Sequence, residues 1–128
     1  MQKSAIIGLS LLSGAALGAG CIETIHAQGK PMAYVIALIN VKDQNGFSKD
    51  FSPKIGKTIA DAGGKFIVRG GKSEVIHGAS PAPRLVITQF PSLEKAMAWA
   101  NSEEAKAAWK VGDKYATFTD YAVEAYTP

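Results

Sequence analysis

Arg69-Gly70-Gly71 is the run whose residue types most invite chemistry. It interrupts GGKFIVRGGKSEVIHG, residues 63–78, which otherwise reads as a β-strand through Phe66, Ile67, Val68, Val75 and Ile76. A guanidinium presents a rigid fork of donors that matches a carboxylate. Glycine has no Cβ, so backbone beside it can approach a ligand closely. The same two glycines also suit a β-bulge that curls the sheet, with Arg69 pairing an acid such as Glu74 or Asp120. The bend is the ordinary reading, and a ligand grip can be built on top of it.

Two titratable residues are candidates for proton transfer, Asp120 and His77. Asp120 falls in mid-strand on the same alternate face as Phe118 and Ala122. A carboxylate on such a face is either buried with a partner or set at an exposed edge. Buried beside Arg69 or Tyr121, Asp120 would be the best acid–base group in the chain. His77 precedes Gly78 at the end of the expected strand, a place for a general base or for a surface residue. Trp99, at the margin of its helical stripe, and Tyr121 supply aromatic walls for a pocket or a packing surface; Trp109 reads as core. The expected ligand-binding set is therefore Arg69, Gly70, Gly71, Trp99 and Tyr121. Lys106, Lys110 and Lys114, four apart, read as a solvated helix face.

Other chemistries lack their residues. Beyond residue 27 the chain has a single histidine and no cysteine, so no His- or Cys-based metal site is expected. There is no Gly-x-Gly-x-x-Gly, no P-loop and no serine in a strand–turn–helix setting, and no cofactor is expected. The formal net charge of +3 is spread among acids, unlike the concentrated patch that a phosphate backbone requires, so nucleic acid is not an expected partner.

These residues are positioned by a regular succession of elements. MAYVIALINVK, residues 32–42, is a strand with apolar residues on both alternate faces. Asp43 caps a helix running to residue 64, with Phe47, Phe51, Ile55 and Ile59 every fourth residue and Gly63 at its left-handed end. Pro53 predicts a kink or a break into two shorter helices. A second strand is expected over 65–77, a loop over 78–83 and a third strand over 84–90. Ser92 caps a helix whose buried stripe is Leu93, Ala96, Met97 and Ala100. Ser102-Glu103-Glu104 restarts a helix, and residues 116–126 make the fourth strand. The order β-α-β-β-α-β predicts an α+β, ferredoxin-like fold: a four-stranded antiparallel sheet with two helices on one face. Its other face would be apolar and bare, and a two-fold homodimer packed sheet to sheet would cover it.

The amino-terminal 27 residues read as a secretory signal peptide. Lys3 is followed by an uncharged run to Ile22, and Ile25-His26-Ala27 fits a cleavage site after Ala27. Cys21 sits in LGAGC, but Leu17 is one residue too far away for a lipobox, and cleavage removes Cys21. Residues 28–31 would be a short leader and 32–128 the folded domain of a periplasmic or secreted protein, with no membrane anchor after cleavage.

AYVIALINV, GGKFIVRGGKSEVIHG and RLVITQFPSLEKAMAWANSEE resemble the exported branch of domain-of-unknown-function family 1330. Gly63-Gly64, Arg69-Gly70-Gly71 and the run from Phe90-Pro91-Ser92-Leu93 to Trp99 carry the likeness. The resemblance implies a dimeric α/β barrel and no established reaction. With Arg69 for charge and Trp99 and Tyr121 for shape, a pocket between sheet and helices is expected to bind a small, partly apolar or anionic molecule; by fold analogy the alternative is a cofactor-independent oxygenase- or isomerase-like enzyme. The chain departs from the family pattern at Ala100 and Ala105, where the family tends to carry aromatics, which implies a differently shaped cleft.

Overall fold

The computed structural model describes residues 29–80 and 83–128, of which Pro31–Pro128 form one compact unit. The expected signal peptide, Cys21 included, lies outside the described residues.

Four strands form the sheet: β1 (Ala33–Val41), β2 (Lys65–Arg69), β3 (Arg84–Phe90) and β4 (Ala116–Glu124). Their order is β2-β3-β1-β4 and every pairing is antiparallel. Three helices, α1 (Ser52–Asp61), α2 (Leu93–Ala100) and α3 (Glu103–Gly112), complete the expected ferredoxin-like α+β arrangement. The second expected helix is the pair α2 and α3, and Ser92 and Ser102 cap them as read, accepting from the N–H groups of Lys95 and Ala105 at 3.1 Å each.

The expected break near Pro53 has a specific form. Asp43 caps a short turn at Gln44–Gly46 through a 3.0 Å bond from the Gly46 N–H. A π-helical turn follows at Phe47–Phe51, in which the Ser52 N–H reaches back to the Phe47 carbonyl. Pro53 has no N–H to offer the carbonyl of Lys49, so the wider turn fits the lost bond and Pro53 instead opens α1. The apolar period survives this change: Phe47, Phe51, Ile55 and Ile59 are all buried against the sheet. Gly63 ends the helix at φ +87°.

Strand alternation sorts the sheet into two faces. Ala33, Val35 and Ile39 of β1, Thr88 and Phe90 of β3 and Ala116 of β4 are buried on the helix-covered face. Tyr34, Ile36 and Leu38 point the other way, beside Leu85 and Ile87, with Tyr121 and Val123 exposed at the edge.

Three local expectations are corrected. β2 ends at Arg69 and does not continue to residue 77, because β3 begins only at Arg84 and supplies no further ladder. The last bond is from the Gly70 N–H to the Leu85 carbonyl (2.9 Å), after which Gly70 turns at φ +68°. The bulge falls between Phe66 and Val68, leaving Ile67 without a partner, and not at Gly70-Gly71. The buried stripe of α2 is Ala96 and Trp99, whereas Met97 is exposed.

Candidate functional site

The register lines up one row of residues across the helix-covered face: Arg69 on β2, Val86 on β3, Ala37 on β1 and Asp120 on β4. The two central members are small, and the two outer members carry opposite charge. Three inter-strand spacings separate the α-carbons of Arg69 and Asp120, about 14 Å. Above this row α1 contributes Ile55 and Ile59, and the helices α2 and α3 contribute Trp99 and Trp109. Small side chains below and large rings above leave a cavity of about 50 Å³, open to solvent on one side. Its lining is almost wholly apolar apart from Arg69, Arg84, Thr88, Ser52 and Asp120.

The two arginines differ in setting. Arg69 is exposed at the rim, its guanidinium carbon 4.0 Å from the centre of the Phe66 ring. It pairs with neither Glu74 nor Asp120; Glu74 lies 3.8 Å from Lys72 instead. Arg84 is half-buried at the start of β3, with its guanidinium over Gly70 and 5.4 Å from the Phe47 ring. Gly70 thus serves the site through geometry: its left-handed φ excludes most side chains, and a Cβ would run into Arg84. Nε of Arg84 and Oγ1 of Thr88 are buried with no hydrogen-bond partner among the described residues, and both residues line the cavity. Thr88 is only 3% exposed.

Asp120 stands on the edge strand at the cavity mouth. It is exposed as a residue and also borders the cavity, beside Trp109 and Phe118. Burial is the main cause that raises its pKa from 3.8 to about 6. A hydrogen bond with the Trp109 side chain opposes the shift, and the neighbouring Asp113 carboxylate adds to it. No arginine forms an ion pair with it among the described residues, which is why burial prevails.

The expected residues divide accordingly. Arg69, Trp99 and Asp120 line the cavity and Gly70 abuts it through Arg84. Tyr121 does not: alternation places it opposite Ile36 on the other sheet face, 53% exposed. Gly71 and His77 lie on the exposed segment after β2, outside the cavity lining. The two tryptophans exchange their expected roles. Trp99 is buried and donates from Nε1 to Thr58 Oγ1 at 2.9 Å, while Trp109 is half-exposed beside Asp120. The sequence reading missed Arg84, Thr88 and Trp109 as site residues. Their signal is alternation: Arg84, Val86, Thr88 and Phe90 share one face of β3, so the arginine had to point at the core.

Among the described residues no group of three or more His, Cys, Asp or Glu side chains is placed to hold a metal ion, and no helix is long and apolar enough to cross a membrane.

Fold and cleft together define a ferredoxin-like α+β protein with a charged, apolar-walled hollow between sheet and helices. The chain belongs to the family described as Domain of unknown function (DUF1330), which matches residues 32–126. It is similar to the crystal structure of a protein of unknown function from Rhodopseudomonas palustris, with a TM-score of 0.62 and 11% identity over 85% of this chain and 94% of that one. A conserved protein of unknown function from Bacteroides thetaiotaomicron, described as a possible oxidoreductase, aligns at TM-score 0.49 and 9% identity, covering 75% of this chain and 99% of its own. A dimeric protein of unknown function with a ferredoxin-like fold from Bacteroides fragilis aligns at 0.43 and 19% identity, covering 73% and 96%. Comparison with curated proteins yields no match.

Proposed function

We propose that this is an exported protein whose cleft binds a small, partly apolar molecule bearing an anionic group. One observation carries the reading: Arg84, whose Nε is buried without a partner, faces the same apolar hollow as Thr88, whose buried hydroxyl is also unpartnered. Buried polar groups are ordinarily satisfied, and a charge-assisted bond to an anion would satisfy both. Arg69 at the rim adds a second, solvated cation that draws anions toward the mouth. The test is calorimetric titration of the protein with short straight-chain and benzoic monocarboxylates, alongside Arg84→Met. Binding that the substitution abolishes supports the reading; no binding of any of these acids, or binding indifferent to Arg84, overturns it.

Asp120 favours a second reading, a cofactor-independent enzyme of oxygenase- or isomerase-like character. A carboxyl raised to about 6 in an apolar cleft is poised to exchange protons near neutral pH. On either reading the apolar outer sheet face is covered by a second copy. Tyr34, Ile36, Leu38, Leu85 and Ile87 make one continuous surface there, ending at exposed Tyr121 and Val123, and sheet-to-sheet packing would bury it. Export rests on the amino-terminal reading: in protein recovered from outside the cytoplasm the first residue should be Gln28, and an intact Met1 or a lipid on Cys21 would refute it.

A further inference from the structure

We infer that residues 71–78, between β2 and β3, are a cover for the cleft, and that Val75 and Ile76 close over the part of a bound acid's apolar tail that stands out of the hollow. The inference rests on the anion-binding reading above and adds to it the ligand's outer contact and the length of tail that the site favours.

The hollow is too small to enclose such a ligand by itself. An enclosed apolar cavity that takes a benzene ring measures about 150 Å³. This one is about 50 Å³ and open on one side. Only a short stub of carbon chain fits beside a carboxylate there, and a longer tail leaves through the open side. Apolar surface left in water adds nothing to binding, so a longer tail is favoured only if something covers it.

Both ends of the segment are fixed at the rim. Arg69 is the last residue of β2 and Arg84 the first of β3, and both line the hollow. The ladder between these strands ends with the bond from the Gly70 N–H to the Leu85 carbonyl, and the Arg84 guanidinium lies over Gly70. From Gly70 to Ile76 an extended chain spans up to about 20 Å. The row from Arg69 to Asp120 is about 14 Å across, so Ile76 has the reach to cover it.

The segment is also built to swing. Gly70 at φ +68° and Gly78 at φ +88° bracket it, and Gly71 has open space around its missing Cβ. Glycine enters backbone conformations closed to other residues, which suits such positions to be hinges. Among the described residues no hydrogen bond joins residues 71–78 to the rest of the chain, and the ion pair of Lys72 with Glu74, at 3.8 Å, is internal to the segment. Every residue from 71 to 78 is exposed. Val75 is 54% exposed and Ile76 99%, beside an apolar hollow that is open on one side. A lone exposed apolar residue is ordinary. An adjacent pair, on a glycine-bracketed segment whose two ends are cleft arginines, supplies the apolar wall that the hollow lacks.

Ile76→Ser tests the cover cleanly, because a side chain so exposed contributes no packing to the fold. The probes are hexanoate, whose tail outruns the hollow, and propanoate, whose tail does not. In calorimetry of the full chain, Ile76→Ser should weaken hexanoate about tenfold, the order expected when an isoleucine no longer leaves water. Propanoate affinity and the urea unfolding midpoint should stay unchanged. Lys72 is 87% exposed at its side chain, and in wild type saturating hexanoate should slow trypsin cleavage after it at least about tenfold. Hexanoate that binds through Arg84 but is indifferent to Ile76→Ser overturns the inference and leaves the anion-binding reading intact, as does cleavage after Lys72 that hexanoate does not slow. Equal weakening of both acids also overturns it, since the effect then does not lie at the tail. If Ile76→Ser separates the two copies in sedimentation and leaves hexanoate binding unchanged, Val75 and Ile76 serve the second copy and the cover is refuted. If neither acid binds while benzoate binds through Arg84, the inference falls alone; if no acid binds, the anion-binding reading falls with it.

Discussion

Asp120→Asn tests the electrostatics of the cleft without any ligand. The carboxyl pKa rises from 3.8 to about 6 on folding, chiefly through burial. Two units correspond to about 3 kcal/mol at most, and solvent access at the mouth reduces this to roughly 1–2 kcal/mol. The sign follows from proton counting. Between about pH 4 and pH 6 the folded state holds more protons at this site than the unfolded chain does. Unfolding free energy therefore falls as pH rises through that window, and the loss is complete by about pH 7. The amide is neutral throughout and lacks this slope. Relative to wild type, Asp120→Asn should gain roughly 1–2 kcal/mol between pH 4 and pH 7.5. Urea unfolding at several pH values, at one fixed protein concentration, reads this as a growing separation of midpoints, on the order of 1 M. Other titrating groups cancel in the difference. A separation that stays flat across the window refutes the claim that burial dominates at Asp120. A separation that shrinks as pH rises would mean that an ion pair holds the carboxylate ionised.

Four further outcomes are expected. Gly70→Ala should cost about 1–2 kcal/mol in urea unfolding, because alanine at φ +68° is strained and its Cβ meets Arg84; Gly71→Ala, with open space around it, should be near neutral. Trp99→Phe should cost about 1–2 kcal/mol through lost ring volume and the lost bond to Thr58, and Trp99→Ala about 3–5 kcal/mol, both by the same measurement. Arg84→Met should leave the unfolding midpoint unchanged or slightly raised, since it removes a partly buried guanidinium, while weakening carboxylate binding at least about tenfold by calorimetry. Tyr121→Lys should shift the protein from two copies to one in sedimentation at micromolar concentration; a wild type that sediments as one copy would refute sheet-to-sheet pairing outright.

The parts of the fold legible in the sequence are those that local periodicity determines. Val35, Ala37 and Ile39 alternate with Tyr34, Ile36 and Leu38, and Phe47 to Ile59 recur every fourth residue; both patterns place the correct faces. Ser92 and Ser102 cap because their short side chains reach an N–H three residues on, a bond that needs no tertiary partner. What a segment meets across the fold is not written in its own period. Val75 and Ile76 have strand-forming side chains, yet no strand lies beside them and Ile76 is 99% exposed. The bulge at Ile67 depends on the register with β3, which the hydrophobic pattern of β2 does not fix. Helical spacing puts Trp109 in the core and Trp99 at the margin of its stripe, yet which one is buried depends on how α2 and α3 settle over Phe90 and Asp120. Trp99 lies 5.2 Å from the Phe90 ring and takes the interior place.

The polar lining of the cleft is the part that packing alone does not explain. The row on one side of the hollow holds Arg84, Ile39 and Phe118, and the row on the other holds Phe66, Thr88, Val35 and Ala122. Thr88 sits among them at 3% exposure with its hydroxyl unpartnered, where valine has nearly the same shape and no unsatisfied oxygen. Leaving a buried hydroxyl unpaired costs about 1–3 kcal/mol, and the unpaired Arg84 Nε adds to that. Asp120 adds a carboxyl that folding makes harder to ionise. Asp120 and Arg69 end the row whose central side chains, Ala37 and Val86, are small, and Arg84 and Thr88 flank that row from either side on β3. Packing alone gains nothing from unpaired polar groups beside an apolar hollow, and titration of Arg84→Met tests what they are for.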